Sequence, residues 1–269
     1  MRSWIAMMLV GSLGIAALSA QQPAGKGPML PPINPATAKA DIVITGLDGP
    51  GLAIVAGGGD SELIAAGCEN GTIQVFKKDT IAAFKSGKGT PAIWKGHQGP
   101  VRALAWNGGP VLASAGADKK INFWKVAEGK VVGGGPLDFR IRTIAMSPDG
   151  KTLASGGEGE VIQLWDVASG KPTAKLADKM DWTLCLAFSA DSKQLLSGDY
   201  QGKIRIWDVA GAKKTATLEH KAKADPKGPP PDPIPVTAIT FAPDGKSIVI
   251  GADDGPIHFL NLPDGKLLR

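Results

Sequence analysis

The stretch GKIRIWDV, residues 202–209, alternates apolar and polar side chains and closes on a Trp-Asp pair. Alternation with period two sends successive side chains to opposite faces, so the stretch reads as a strand with one buried side. The phrase is written three more times: EVIQLWDV at 160–167, KKINFWKV at 119–126 and GTIQVFKK at 71–78. Trp124 and Trp165 are 41 residues apart, Trp165 and Trp207 are 42 apart, and Phe76 and Trp124 are 48 apart, with Leu260 in the aromatic's place in a fifth copy. One supersecondary unit repeated at roughly 40–45 residues is the period of a propeller with four strands to each blade.

The rest of each unit agrees. RTIAMSPDGKTLASGG (142–157) is an alternating run, a Ser-Pro-Asp-Gly turn and a second alternating run, and the pattern returns as AFSADSKQLLSGD (187–199) and TFAPDGKSIVIGA (240–252). Pro presets the backbone angle of a tight turn and Gly supplies positive φ. The chain has 36 Gly and 21 Pro among 269 residues, but they fall at periodic turn positions, so they are punctuation and not low complexity. Helical periodicity is missing outside the N-terminus, and the expected fold class is all-β.

With its Trp165-Asp166 and Trp207-Asp208 pairs and its Gly96-His97, the chain resembles the WD40 repeat family over about residues 41–269. The resemblance implies a β-propeller with five recognisable four-stranded blades, at about 47–96, 97–136, 137–177, 178–219 and 220–269. It also implies a buried hydrogen-bonded tetrad, which only the second unit matches throughout, as His97, Ser114, Asp118 and Trp124. The third unit keeps Ser155 and Trp165 with Gly159 for the Asp, the fourth keeps Ser197 and Trp207 with Gln201, and the fifth keeps Asp254 with Leu260 for the Trp. The commonest ring has seven blades and needs about 290 residues at this period. The 229 residues from Asp41 fall short of that, so the expectation is an incomplete or unusually small ring. Two segments, DIVIT (41–45) and GKLLR (265–269), compete for the closing outer strand. An unclosed array would expose a sheet edge and self-associate.

Arg2 followed by the apolar run 5–18 and Leu18-Ser19-Ala20 reads as a signal peptide over 1–20, and a Pro/Ala-rich linker spans 21–40. The expected location is exported, periplasmic or extracellular; the alternative is a membrane anchor through residues 5–18. Cys68 and Cys185 are read as buried apolar residues on strands of the first and fourth units, with an inter-blade bridge as the alternative.

Catalytic signatures are missing. There is no G-x-S-x-G and no phosphate-cradling Gly loop ending in Lys-Ser or Lys-Thr. Of the three histidines, His97 belongs to the implied tetrad, and His220 and His258 lack a partner at ligand spacing along the chain, so no metal site, no cofactor and no catalytic residue is expected. Net charge is +5, mostly from Lys at strand ends and turns, which suits an anionic envelope surface or the blunting of sheet edges. Nucleic acid is not an expected partner.

The resemblance places one loop position of each unit, Glu69, Ala117, Glu158, Tyr200 and Asp253, on the face such propellers use to hold partners. The start of each unit's first strand adds Leu52, Arg102, Arg142, Leu184 and Thr237, with Trp182 beside Leu184. The candidate partner-binding residues are therefore Glu69, Arg102, Arg142, Glu158, Trp182, Tyr200 and Asp253, because rigid aromatics and Arg dominate contact energies. The alternative is that they are ordinary loop residues. A proline-rich excursion, KAKADPKGPPPDPIP at 221–235, is either a projecting finger or a tolerated insertion. The expected function is a non-enzymatic exported scaffold that presents a protein-binding face, for partners of unknown identity, in an envelope or periplasmic assembly. The alternative is an enzyme or ligand-binding propeller using carboxylates in its central channel.

Overall fold

A computed structural model describes residues 50–57, 63–77, 91–220, 232–262, 266 and 268. The leader, the linker and DIVIT lie outside the described residues, as does most of the proline-rich excursion. Among the described residues all regular structure is strand, and no helix is long and apolar enough to cross a membrane.

The strands fall into five antiparallel sheets. The first contains β1 (Gly51–Ala56), β2 (Leu63–Cys68), β3 (Thr72–Lys77) and β4 (Ala92–Lys95). The second contains β5 (Val101–Ala105), β6 (Val111–Gly116), β7 (Lys120–Lys125) and β8 (Lys130–Pro136). The third contains β9 (Ile141–Met146), β10 (Thr152–Gly157), β11 (Val161–Asp166) and β12 (Lys171–Ala177). The fourth contains β13 (Thr183–Phe188), β14 (Gln194–Asp199), β15 (Lys203–Asp208) and β16 (Lys213–Glu219). The fifth contains β17 (Val236–Phe241), β18 (Ser247–Ala252) and β19 (Ile257–Asn261). Beyond β19, Asn261 N–H donates to Lys266 C=O and Leu268 N–H to Phe259 C=O, so the chain runs back along that strand.

The hairpins form for the reason their sequences suggest. Ser147 Oγ donates to Asp149 Oδ1 at 2.6 Å, that oxygen accepts Lys151 N–H, and Thr152 N–H closes on Ser147 Oγ. Ser189 and Asp191 repeat the network. Gly150 and Gly245 supply the positive φ these turns require, and in the copy between them Ser192 is held at φ 62°.

Apolar burial joins neighbouring sheets in four layers. Trp94 and Trp124 stack between the first and second sheets at 5.6 Å. Phe123 and Trp165 meet between the second and third at 6.1 Å. Trp207 fills the third–fourth interface with Ile162, Leu164 and Leu195, and Leu260 lies in the fourth–fifth cluster. The inner strands pack in succession, β1 on β5, β5 on β9, β9 on β13 and β13 on β17. Among the described residues no comparable packing returns β17 to β1. Cys68 and Cys185 are buried in β2 and β13, and no disulfide joins them.

Candidate partner-binding face

In each sheet the inner strand begins beside the end of the second strand, because the two are antiparallel. One hydrogen bond recurs at that corner in all five sheets. Glu69 N–H donates to Pro50 C=O, Ala117 to Pro100, Glu158 to Arg140, Tyr200 to Trp182 and Asp253 to Pro235, at 2.8–3.1 Å. The ladder then skips the second residue of every inner strand, leaving Leu52, Arg102, Arg142, Leu184 and Thr237 in bulges. A bulge re-aims its side chain out of the pleat. Arg102 and Arg142 are consequently exposed, while Leu52, Leu184 and Thr237 are half-buried.

Four of the seven candidate residues form one run of contacts across the third and fourth sheets. Arg142 Nη2 donates to Glu158 Oε1 at 2.8 Å, and its guanidinium carbon lies 4.7 Å from the centre of the Trp182 ring. Trp182 packs against Tyr200, with centroids 5.8 Å apart and planes tilted by 56°. Trp182 is 42% exposed and Tyr200 45%. Glu69, Arg102 and Asp253 occupy the equivalent corners of the first, second and fifth sheets, all exposed, and take no part in this run.

Beneath the run lies a residue that pattern reading passed over. Arg205, in β15, is 1% exposed. Its Nη1 donates to Asp199 Oδ2 at 2.6 Å, its Nε to Asp178 Oδ2 at 2.7 Å and its Nη2 to Lys179 C=O at 3.0 Å. Asp178 and Lys179 begin the loop that presents Trp182, and Asp199 immediately precedes Tyr200. One buried guanidinium therefore clamps both segments that carry the aromatics. Hydrogen bonds from Lys214 and from Arg205 hold the Asp178 carboxyl at about 2, against the opposing effect of burial. Asp199 Oδ1 accepts the N–H groups of Gln201 and Lys203, and the Gln201 amide reaches Asp181 Oδ2 at 2.8 Å, closing the corner. The available signal was a cation at an inward register of a strand, where the other copies have Gln74, Asn122, Gln163 and His258.

In the second sheet His97 Nδ1 lies 3.0 Å from Asp118 Oδ1 and its Nε2 2.7 Å from Ser114 Oγ. Trp124 Nε1–H donates to the same hydroxyl at 2.7 Å. Burial opposes the Asp118 charge, but N–H groups of Gln98, His97 and Lys120 outweigh it and hold its pKa below the ordinary value. A Cβ on Gly116 would collide with both His97 and Asp118, so the approach of the pair requires glycine there. Trp165 keeps its bond to Ser155 Oγ and Trp207 its bond to Ser197 Oγ, each at 2.9 Å. Phe139 lies against Gly159, where the second sheet has its Asp.

The fifth sheet brings together the two histidines that lack a partner at ligand spacing along the chain. His220 Nε2 lies 2.9 Å and His258 Nε2 2.8 Å from the same Asp254 Oδ2. His220 follows β16 as His97 follows β4, but the excursion at 221–235 hides the correspondence. Burial opposes the Asp254 charge, and hydrogen bonds from His258 and His220 reverse the effect and lower its pKa.

Every carboxylate with a displaced pKa among the described residues is displaced downward, away from the range of a general acid at neutral pH. Burial pushes the Cys185 thiol up to about 12, which leaves it inert as a nucleophile.

Comparison with known families matches the WD domain, G-beta repeat at residues 90–125, 133–166 and 170–208. A search of curated proteins finds no match. The three matched segments run from β4 of the first sheet to β15 of the fourth and include Arg142, Glu158, Trp182, Tyr200 and Arg205.

Proposed function

Because the chain belongs to the WD40 repeat family, we propose that it is a non-catalytic protein-interaction scaffold whose partner docks on Arg142, Glu158, Trp182 and Tyr200. The observation that carries this reading is the unbroken run from an ion-paired Arg through two half-exposed aromatics, anchored from below by Arg205. Aromatic side chains held in place before binding lose little conformational freedom when a partner covers them. Trp, Tyr and Arg are also the residues that most often dominate contact energy at interfaces.

The scaffold acts, in this proposal, outside the cytoplasm in an envelope or periplasmic assembly. Arg2, the apolar run 5–18 and the small residues before Gln21 support export, and the net charge of +5, one unit of which is Arg2 in the leader, favours approach to an anionic envelope surface. Among the described residues no other sheet packs on the outer sides of the first and fifth sheets, which supports self-association as a second mode of contact.

The test compares the parent chain with an Arg142→Ala, Trp182→Ala, Tyr200→Ala triple variant in affinity capture from an envelope extract. The expected result is a folded variant that loses the specifically captured protein. A folded variant that captures the same protein at the same level would overturn the reading.

A further inference from the structure

In the second sheet the tetrad histidine is saturated, with Asp118 on Nδ1 and Ser114 on Nε2. The fifth sheet has the same histidine and aspartate without the rest. Ser114 pairs with Asn122 across the ladder, and the residues at that cross-strand position are Ile250 and His258. Trp124 is replaced by Leu260. Among the described residues no hydroxyl bonds the Nε2 of His220, and that nitrogen turns onto the carboxylate, where a second imidazole has replaced the Asn amide. The two rings meet at 4.3 Å between centroids and 51° between planes.

We propose that His220, Asp254 and His258 form a binding site for one divalent transition-metal cation, Zn2+ by preference. Two imidazole nitrogens and a carboxylate oxygen are a ligand set suited to Zn2+, which accepts three protein ligands with water completing the shell. The three ligand atoms come from the loop after β16, the β18–β19 turn and β19, and all lie within 4.8 Å of one another. A cation bound at about 2.0–2.2 Å to each ligand sets ligand–ligand edges near 3.3 Å in a tetrahedral shell. The two N···O edges already stand at 2.9 and 2.8 Å, so the carboxylate has only to yield a few tenths of an ångström at each as the ion enters. Side-chain exposure of 11% for His220, 25% for Asp254 and 14% for His258 gives partial shelter while leaving an entry path. The ion ties the loop after the fourth sheet to the fifth, a sheet that has lost both the Ser and the Trp of the tetrad. The site is separate from the partner-binding face, and neither proposal depends on the other.

The competing account is a hydrogen-bonded trio that merely replaces the tetrad. Full-length protein without a histidine tag is titrated with Co2+ as a spectroscopic probe, then with Zn2+ in competition, and its thermal unfolding is followed with and without Zn2+. The proposal predicts visible ligand-field bands saturating at one Co2+ per chain, displaced by Zn2+. It also predicts a Tm rise of about 5–10 °C with Zn2+ at about 100 times its Kd. His258→Gln and Asp254→Asn should each abolish the bands and the shift, whereas His97→Gln should leave the bands intact. Parent protein without bands and without a shift would overturn the proposal. So would bands that persist in both His258→Gln and Asp254→Asn.

Discussion

Replacing Arg205 with Met keeps most of the stem's volume and removes the guanidinium. Three hydrogen bonds disappear, to Asp199, Asp178 and the Lys179 carbonyl. Asp178 keeps Lys214 and is a quarter exposed, so water and that ammonium absorb part of its loss. Asp199 has no such relief: at 2% exposure it retains two backbone N–H groups and a charge without a counter-ion. Removing one partner of a buried pair costs about 3–5 kcal/mol, chiefly through the charge left behind. At about 2–4 °C per kcal/mol for a chain of this size, the unfolding midpoint should fall by about 10 °C. Because the described sheets pack in succession on their neighbours, the fourth sheet should open first and split the transition. Calorimetry, with Trp fluorescence reporting on Trp182 and Trp207, reads both effects. Arg205→Met combined with Asp199→Asn removes the stranded charge and should recover about half of the loss. A single-variant cost below about 1 kcal/mol, or no recovery in the double variant, would refute the dependence of Asp199 on Arg205. The variant should also weaken partner capture, since the guanidinium fixes the segments carrying Trp182 and Tyr200.

Ser114→Ala leaves Trp124 Nε1–H without its acceptor and His97 Nε2 with the longer contact to Asn122 Nδ2 at 3.3 Å, and should cost about 2–4 kcal/mol by denaturant titration, whereas Ser155→Ala strands Trp165 Nε1–H and removes a 3.3 Å bond to Gln163 C=O, and should cost about 1–2 kcal/mol. The Asp178 pKa lies at about 2, below its ordinary 3.8, so the stability it contributes is complete above the ordinary value and is lost as pH falls through about 2. That loss should be about 1–2 kcal/mol after allowance for solvent screening. Lys214→Ala should raise this pKa and move the acid transition to higher pH, and an unchanged acid transition would contradict the assignment. Trp182→Ala should leave Tm within about 2 °C of the parent, since the ring is exposed, while Trp207→Ala should lower it by about 10 °C.

Local chemistry made much of the fold legible in advance. Period-two alternation and Ser-x-Asp turns act over a few residues, and the repeat spacing exposed the sheets one after another. The recurring corner could be placed because the residue before the tetrad Asp position keeps its register in every copy, from Glu69 to Asp253. What could not be read was contact between copies. Arg142 meets Trp182 across 40 residues of chain, and nothing in either neighbourhood announces the other. Arg205 stands at an inward register of its strand, but its acids lie on a loop and on a different strand, which local spacing does not reveal. His220 was hidden by distance: 34 residues and a proline-rich excursion separate it from Asp254, so no motif spacing survives. Ring closure depends on packing between the ends of the array, about which strand periodicity is silent.

The most direct test of the scaffold account is site-specific photo-crosslinking in producing cells, with a photoreactive phenylalanine analogue at position 200 and, separately, at Val132, an exposed residue of the outer strand β8. The account predicts one discrete adduct from position 200 that disappears when Arg142→Ala and Trp182→Ala are added, and none from position 132. Adducts of equal yield from both positions, or a position-200 adduct indifferent to those two changes, would contradict it.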